Sequence, residues 1–238
     1  MGSNISIPST ETMFAVAFMM VYKTATVLPK VKIQVKILLE ELYKNYEIPA
    51  NKYYDERITH NRIMMKSGED MIESLRQFSR ENKIDASFVM TSSLNADTNL
   101  IDDSDIDISM VVQDLDEEKI NNMSELLLKF GFKYNKIVNP TRQKSLYHSF
   151  CLIKDGIEFE LKLRDKTNSQ AILKLHEHME TKIPINDKKA ITYGKLIFKK
   201  LSKTTKEKEL EDIYKVFKKL VYEMYFADIA GGFMFDLI

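Results

Sequence analysis

The sequence is poor in several features that would point to common classes of protein. Cys151 is the single cysteine among 238 residues. One cysteine excludes a disulfide within the chain and a zinc site built on paired thiolates, and it favours a reducing compartment such as the cytoplasm. Lysine plus arginine number 35, as do aspartate plus glutamate. The total charge therefore gives no general attraction to nucleic acid.

Long apolar stretches are also missing. The longest one, residues 13–22, has 10 residues and ends before Lys23. A membrane-spanning helix needs roughly 20 apolar residues, and the stretch lacks the cleavage pattern of a signal peptide. We expect a buried N-terminal helix and no association with membranes, with docking on a partner protein as the alternative.

Hydrophobic periodicity predicts helices at both ends of the chain and alternating helices and strands between them. A flexible leader over 1–12 comes first, and residues 50–68 show no clear pattern. Proline and glycine mark the breaks. The predicted elements are helices over 13–28 and 31–46 bounded by Pro29 and Pro49, a helix over 69–82, strands over 85–90 and 105–112, a helix over 116–130 ending at Gly131, strands over 146–153 and 157–163, and helices after Asp165 with a break at 183–185.

The dipeptide Asp155-Gly156 separates the last two predicted strands. Asp-Gly between alternating apolar runs predicts a hairpin, because a type I′ turn needs positive φ at both central residues. Strands that alternate with helices and are followed by helices alone indicate an α/β or α+β lobe beside a helical lobe. We expect an α+β fold with a mixed sheet and N- and C-terminal helical segments. The predicted division of the chain is 1–68, 69–165 and 166–238.

The most informative feature is a dense group of acidic residues. Residues 97–118 contain nine of them and no lysine or arginine. Asp105 and Asp107 interrupt an apolar strand two residues apart, so their side chains leave the same face. Like charges that close resist joint ionisation unless a cation neutralises them, and a hard divalent metal with oxygen ligands fits that need. The alternative is a solvent-facing strand with incidental acids.

A second acidic pair, Glu158 and Glu160, has the same spacing on the strand after the hairpin turn. If the two strands are neighbours, three or four carboxylates converge on one surface. Two Mg²⁺ ions a few ångström apart require such a cluster. Both glutamates are candidate ligands, and the spacing after the turn favours Glu160 as the third carboxylate.

Residues 91–107 (TSSLNADTNLIDDSDID) resemble the signature of the DNA polymerase β-like nucleotidyltransferases. In that family a hydrophobic strand is followed by Gly-Ser or Gly-Gly, a loop and Asp-x-Asp. The ending DSDIDI is similar to noncanonical poly(A) and oligo(U) polymerases and to minimal nucleotidyltransferases. Phe159-Glu160-Leu161 resembles the later strand that carries the family's third carboxylate, with Glu in place of the usual Asp. The resemblance covers residues 69–165.

The resemblance implies a role for each matching residue. Asp105 and Asp107 would bind the Mg²⁺ or Mn²⁺ ions that hold a nucleoside triphosphate. Glu160 would join one metal ion and help to deprotonate an attacking hydroxyl, which displaces pyrophosphate at the α-phosphate. Ser92 and Ser93 would lie in the loop whose backbone and hydroxyl groups touch the β- and γ-phosphates.

Four basic residues are further candidates for binding the nucleotide. Lys162 and Arg164 share the strand face of the glutamates and could reach a phosphate, or they could pair with acidic neighbours across strands. Lys195 and Lys199 share a helical face within residues 188–219, which carry 11 lysines against 4 acids. Such a stretch could hold a triphosphate or a nucleic-acid backbone, although a solvated helix face is commoner.

These observations favour an enzyme that moves a nucleoside monophosphate from an NTP to a hydroxyl of RNA, protein or a small molecule. Ser92 stands where the family has glycine, and this departure supports an alternative, a catalytically inactive nucleotidyltransferase-fold scaffold or binding subunit. A third interpretation is a helical interaction protein with an incidental acidic strand.

Overall fold

The computed structural model describes residues 9–24, 27–91, 93–101, 105–138, 147–167, 169, 174 and 182–230. The chain forms two compact units. A helical unit contains Met1–Asp55 and Pro184–Ala227, and a sheet unit contains Glu56–Ile183. The segment boundaries at 68/69 and 165/166 stay predictions.

Helix α1 (Thr10–Thr24) contains the apolar stretch found in the sequence. Its buried residues include Phe14 and Phe18, whereas Met13 and Met20 are exposed. The expected buried helix is therefore amphipathic, and it begins within the predicted leader. Among the described residues, each helix is too short or too polar to cross a bilayer.

Helix α2 (Leu28–Glu81) covers a region where the sequence predicted two helices and an unassigned segment. Those breaks were wrong: residues 50–68 are helical, and Pro49 lies inside the helix. The physical reason is a kink at Tyr46, whose φ of −127° and ψ of 26° are not helical. Pro49 then falls in the first turn of the second helical stretch, where its missing N–H would have no partner anyway.

The rest of the helical unit is built from α4 (Ile185–Thr204) and α5 (Ile213–Ala230) together with the first part of α2. The rings of Phe18, Phe198 and Phe217 pack edge to face, with centroids 4.9–5.6 Å apart. Gly194 lets α4 come close to this cluster, because a Cβ there would lie 2.7 Å from the Phe217 ring.

The sheet unit contains five strands: β1 (Ala86–Thr91), β2 (Asp105–Val112), β3 (Lys133–Val138), β4 (Tyr147–Lys154) and β5 (Ile157–Asp165). Their order is β1-β2-β5-β4-β3, in which β2 and β5 are parallel and the other neighbours are antiparallel. The predicted α+β class with a mixed sheet is confirmed. Strand β3 was missed, because its polar sequence KYNKIV lies at the edge of the sheet.

Two local signals in the sequence act as predicted. Asp155 and Gly156 have φ of 53° and 78°, so a tight turn connects β4 and β5. Helix α3 (Glu117–Phe130) begins after Asp116, whose carboxylate accepts the N–H of Lys119 at 2.8 Å. It ends at Gly131, which has a φ of 115°.

One face of the sheet packs against the later part of α2 and against α3. Alternate residues of the strands are apolar and buried on this face. The core contains Leu75, Ile106, Ile108, Met110, Leu127, Phe150, Phe159, Leu161 and Leu163. Because side chains alternate along a strand, the intervening residues of β2, β4 and β5 lie on the opposite face.

Candidate metal centre

The opposite face carries the acidic residues singled out in the sequence. Strands β2 and β5 are parallel neighbours, and their register places Asp105 beside Glu158 and Asp107 beside Glu160. One carboxylate oxygen from each of Asp105, Asp107 and Glu160 lies within 4.8 Å of the others. The sequence predicted that carboxylates converge if the two acidic strands are neighbours. The strands are neighbours, and three carboxylates converge. Glu158 is exposed and does not belong to this three-residue group.

The donor set fits a hard divalent cation. Ligand oxygens around an octahedral Mg²⁺ at 2.0–2.1 Å are about 3 Å apart when adjacent and about 4 Å apart when opposite. The group's 4.8 Å limit is close to that range, so small side-chain rotations would bring the oxygens onto one ion. Asp107 is buried and Asp105 is exposed, which leaves one side of the group facing solvent. Asp105, Asp107 and Glu160 are thus the residues that could hold a metal.

Lys162, one step further along β5, also belongs to this cluster. Its Nζ lies 2.7 Å from Asp107 Oδ1 and 3.4 Å from Glu160 Oε2, and its side chain is 15% exposed. Burial alone would lower the pKa of Lys162, but the charges of Asp107 and Glu160 outweigh it and raise that pKa. The sequence left two roles open for Lys162, contact with a phosphate and pairing with acidic neighbours. The structure shows the pairing with acidic neighbours.

Ser149 on β4 fixes one oxygen of Glu160. Its hydroxyl donates to Glu160 Oε1 at 2.6 Å, and its side chain is completely buried. Ser149 lies beside Lys162 in the β4–β5 register. Sequence reasoning missed this residue, because a serine in a strand shows no signal until its neighbouring strand is known.

Arg164 lies two residues beyond Lys162 on the same face of β5. Its Nε donates to Ser109 Oγ at 3.2 Å, and its Cζ lies 4.3 Å from the centroid of the Tyr147 ring. Desolvation by burial lowers the pKa of Arg164 to about 10. Its Nη1 is buried and has no hydrogen-bond partner among the residues that the structure describes. Burial likewise raises the pKa of Tyr147.

His148 and Cys151 lie on β4, on either side of Ser149 and Phe150. His148 is half-buried, and desolvation lowers its pKa. Cys151 lies on the polar face beside Glu160 in register and is half-buried. Burial, followed by the charges of Glu158 and Glu160, raises the pKa of the Cys151 thiol.

The loop between β1 and β2 is held by α2 within the sheet unit. Arg57, which is fully buried, donates to Asp97 Oδ1 at 2.7 Å and to Asn99 Oδ1 at 2.7 Å. Asn61 donates to the same Asp97 oxygen at 2.7 Å. Ser92 lies outside the described residues, and Ser93 is half-buried at the start of this loop. Arg57 and Asn61 gave no signal in the sequence, because their partners are 36 to 42 residues away.

Lys195 and Lys199 lie on α4 in the helical unit. Lys195 is almost completely buried, with 2% exposure, and Lys199 is half-buried. A freely solvated shared face is therefore the wrong description of this pair. Their assignment to the nucleotide stays a prediction.

Comparisons with known proteins add little beyond this geometry. No family profile matches the sequence, and no curated protein matches it. Among solved structures the chain is similar to the Cid1 poly(U) polymerase with Mg and 3′-dATP bound, at 18% identity and a TM-score of 0.43. The match covers 67% of this chain and 47% of that one, so this chain spans about half the length of its neighbour.

The neighbour is a polymerase of the kind that residues 91–107 resemble. At 18% identity and a TM-score of 0.43, this likeness carries no argument about function. The function proposed below therefore rests on the carboxylates and their surroundings.

Proposed function

We propose that this protein is a metal-dependent nucleotidyltransferase that moves a nucleoside monophosphate from an NTP to a hydroxyl and releases pyrophosphate. The observation that carries the proposal is the convergence of Asp105, Asp107 and Glu160 on two parallel neighbouring strands. A lone Asp-x-Asp occurs for many reasons. A third carboxylate in register, from a strand about 50 residues later, supports a built cation site.

Each carboxylate has a role that follows from its surroundings. Asp105 and Asp107 bind the cation and so orient the triphosphate. Glu160 has one oxygen held by Ser149, so its other oxygen is the one available to a metal or to the proton of the attacking hydroxyl. A divalent ion, when bound, stabilises the negative charge that develops on the phosphoryl oxygens. Mg²⁺ and Mn²⁺ both suit this all-oxygen donor set.

The cations of the polar face suit the leaving pyrophosphate. Glu160, Lys162 and Arg164 follow one another at two-residue steps on β5, so their side chains leave the same face of the strand. Ser92 and Ser93 complete the proposed phosphate contacts from the loop after β1. The acceptor is a hydroxyl of RNA, of a protein or of a small molecule, and the lone Cys151 supports a reducing compartment such as the cytoplasm.

The alternative function is a catalytically inactive binding subunit with the same fold. Two observations favour it: serine replaces the family glycine at position 92, and the ammonium of Lys162 lies among the carboxylates. An inactive subunit would still bind a metal–nucleotide complex. Binding and turnover must therefore be measured separately.

The test of turnover is incubation of the protein with each of the four NTPs, labelled at the α-phosphate, with Mg²⁺ or Mn²⁺. Total RNA and the protein itself serve as acceptors. We expect transfer of label that falls by about 10²-fold or more in Asp107→Asn and in Glu160→Gln, since groups that stabilise transition-state charge contribute about that much. Glu125→Gln, an exposed carboxylate on α3, is the matched control.

Metal binding is read from thermal unfolding with and without Mn²⁺ and an NTP. A metal-dependent rise in Tm that is lost in Asp107→Asn, without any transfer of label, would favour the inactive subunit. No response of the wild-type Tm to any metal or NTP would contradict both functions.

A further inference from the structure

Lys162 is unusual because a largely buried cation lies inside the proposed metal site. Its ammonium contacts Asp107 Oδ1 at 2.7 Å and Glu160 Oε2 at 3.4 Å. The side chains of Lys162, Asp107 and Glu160 are 15%, 9% and 19% exposed. The contacts are therefore shielded from water. Ion pairs in such a partly buried position are screened less by solvent and salt than ion pairs on the surface.

We propose that Lys162 is an internal counter-ion that competes with the divalent metal for Asp107 and Glu160, and that it moves to a phosphate oxygen when the metal–nucleotide complex binds. This inference rests on the proposed nucleotidyltransferase function and deepens it, since it assigns a regulatory role to one residue of the site. It predicts opposite effects of Lys162 on the metal alone and on the metal with nucleotide.

The competition follows from which oxygens are already in use. Ser149 donates to Glu160 Oε1, so Oε2 is the Glu160 oxygen left for a metal, and Lys162 contacts that same atom. Lys162 also contacts Asp107 Oδ1, an oxygen of the second ligand. A cation bound to these oxygens at about 2.1 Å would lie very close to the ammonium and repel it. Metal binding must therefore displace the Lys162 ammonium, or its repulsion will lower the affinity of the site for the metal.

The charge balance gives the displaced ammonium a destination. Asp105, Asp107 and Glu160 carry three formal negative charges, and Lys162 offsets one of them. A divalent ion reduces the charge of the carboxylate group from −3 to −1, so the electrostatic attraction of the ammonium to the site weakens. A triphosphate restores strong negative charge nearby. The four-carbon stem of lysine and its freely rotating ammonium allow such a movement, which a planar guanidinium would resist.

Lys162 is also well placed to move without unfolding the strand. Its Nζ also lies 5.7 Å from the centroid of the Tyr147 ring, so the aromatic face can keep the ammonium as a partner while it leaves the carboxylates. A rotation about the side-chain bonds then changes its partner while the β4–β5 pairing stays intact.

The experiment is a titration of the full-length protein with Mn²⁺, followed by electron paramagnetic resonance of free Mn²⁺. We expect Lys162→Met to bind Mn²⁺ about tenfold or more tightly than wild type, which corresponds to about 1.4 kcal/mol. Lys166→Met is the matched control, because it removes the same charge from an exposed residue just after β5. Its Mn²⁺ affinity should equal that of wild type within about twofold.

The second arm repeats the titration with a non-hydrolysable α,β-methylene triphosphate present. Here Lys162→Met should bind the metal–nucleotide complex about tenfold or more weakly than wild type. Lys162→Gln tests the same reversal in a side chain that keeps polar atoms, in case the methionine variant fails to fold. Circular dichroism reports the fold of each variant.

Each outcome has a distinct meaning. Unchanged or weaker Mn²⁺ binding in both Lys162 variants would overturn the competition while the proposed function stands. Tighter Mn²⁺ binding with unchanged nucleotide binding would overturn the movement to phosphate. Absence of Mn²⁺ binding in wild type and in every variant would overturn the proposed function together with this inference.

Discussion

The two faces of β2 and β5 contrast sharply although their residues alternate along the same two strands. Ile108 and Leu161 are completely buried in the apolar core. Their chain neighbours Asp107 and Glu160 lie on the opposite face in the proposed metal site. One face therefore supplies stability by removing apolar surface from water, and the other holds charged groups close together at a cost in stability.

Buried polar groups on the polar face have hydrogen-bond or ion-pair partners that reduce this cost. Ser109 and Ser149 are completely buried. Ser109 is the hydrogen-bond partner of Arg164, and Ser149 is the partner of Glu160. Asp107 is held by the ammonium of Lys162. A buried polar group without such partners would cost about 1–3 kcal/mol. The apolar face therefore contributes stability through buried hydrophobic side chains. On the polar face, Asp107, Glu160 and Arg164 are each stabilised by a neighbouring charge of opposite sign or by a hydrogen bond.

The largest expected effect is a difference in the free energy of unfolding between two adjacent positions of β5, one on the apolar face and one on the polar face. Leu161→Ala should lower the free energy of unfolding by about 2–5 kcal/mol, because it leaves a cavity in the core. Glu160→Gln in EDTA should change it by less than about 1 kcal/mol, since lost pairing with Lys162 is offset by reduced repulsion from the aspartates. Urea denaturation of both variants measures this contrast, which equal losses would refute.

An intermediate effect of opposite sign is expected at Arg164. Arg164→Met should raise the free energy of unfolding by about 1 kcal/mol or more, because it removes a desolvated guanidinium whose buried Nη1 has no partner among the described residues. The same variant should weaken NTP binding if Arg164 contacts phosphate. Arg76→Met, at an exposed site on α2 with 52% exposure of its side chain, should change stability by less than about 0.5 kcal/mol. Loss of stability in Arg164→Met would show that its stacking on Tyr147 outweighs its desolvation.

The smallest effect concerns the turn that sets how β4 meets β5. Gly156→Ala should lower the free energy of unfolding by about 1 kcal/mol, because Gly156 has a φ of 78° that a Cβ disfavours. Apart from Gly156 and its two chain neighbours, no atom of the described residues lies within 4 Å of the position of that Cβ, so the loss would come from the backbone alone. Asp155→Asn, at a φ of 53° that asparagine tolerates, is the control and should be neutral.

Sequence reasoning succeeded where the signal was local. The strand 105–112 was predicted with its observed bounds, and the ends of α3 followed from Asp116 and Gly131. It failed at Pro49, because proline in a first helical turn is compatible with the helix, and at β3, whose polar residues carry no alternating pattern. Those failures arise where tertiary context overrides a local preference.

The side-chain hydrogen bonds between distant segments could not be predicted from the sequence. Arg57 anchors Asp97 and Asn99 across about 40 residues, and Ser149 bonds Glu160 through strand pairing. Arginine in a helix and serine in a strand are common and have no distinctive spacing. Only the folded chain shows that each holds a group of the loop or of the proposed site.

By itself the sequence determined that Asp105 and Asp107 share a strand face, because side chains repeat every second residue along any strand. It also determined the tight turn at Asp155-Gly156, since both residues accept positive φ. The tertiary structure decided that β2 and β5 are parallel neighbours with Asp107 beside Glu160. That register depends on how the apolar faces of distant segments pack into one core, and a slip of one residue would turn the acidic side chains to the other face.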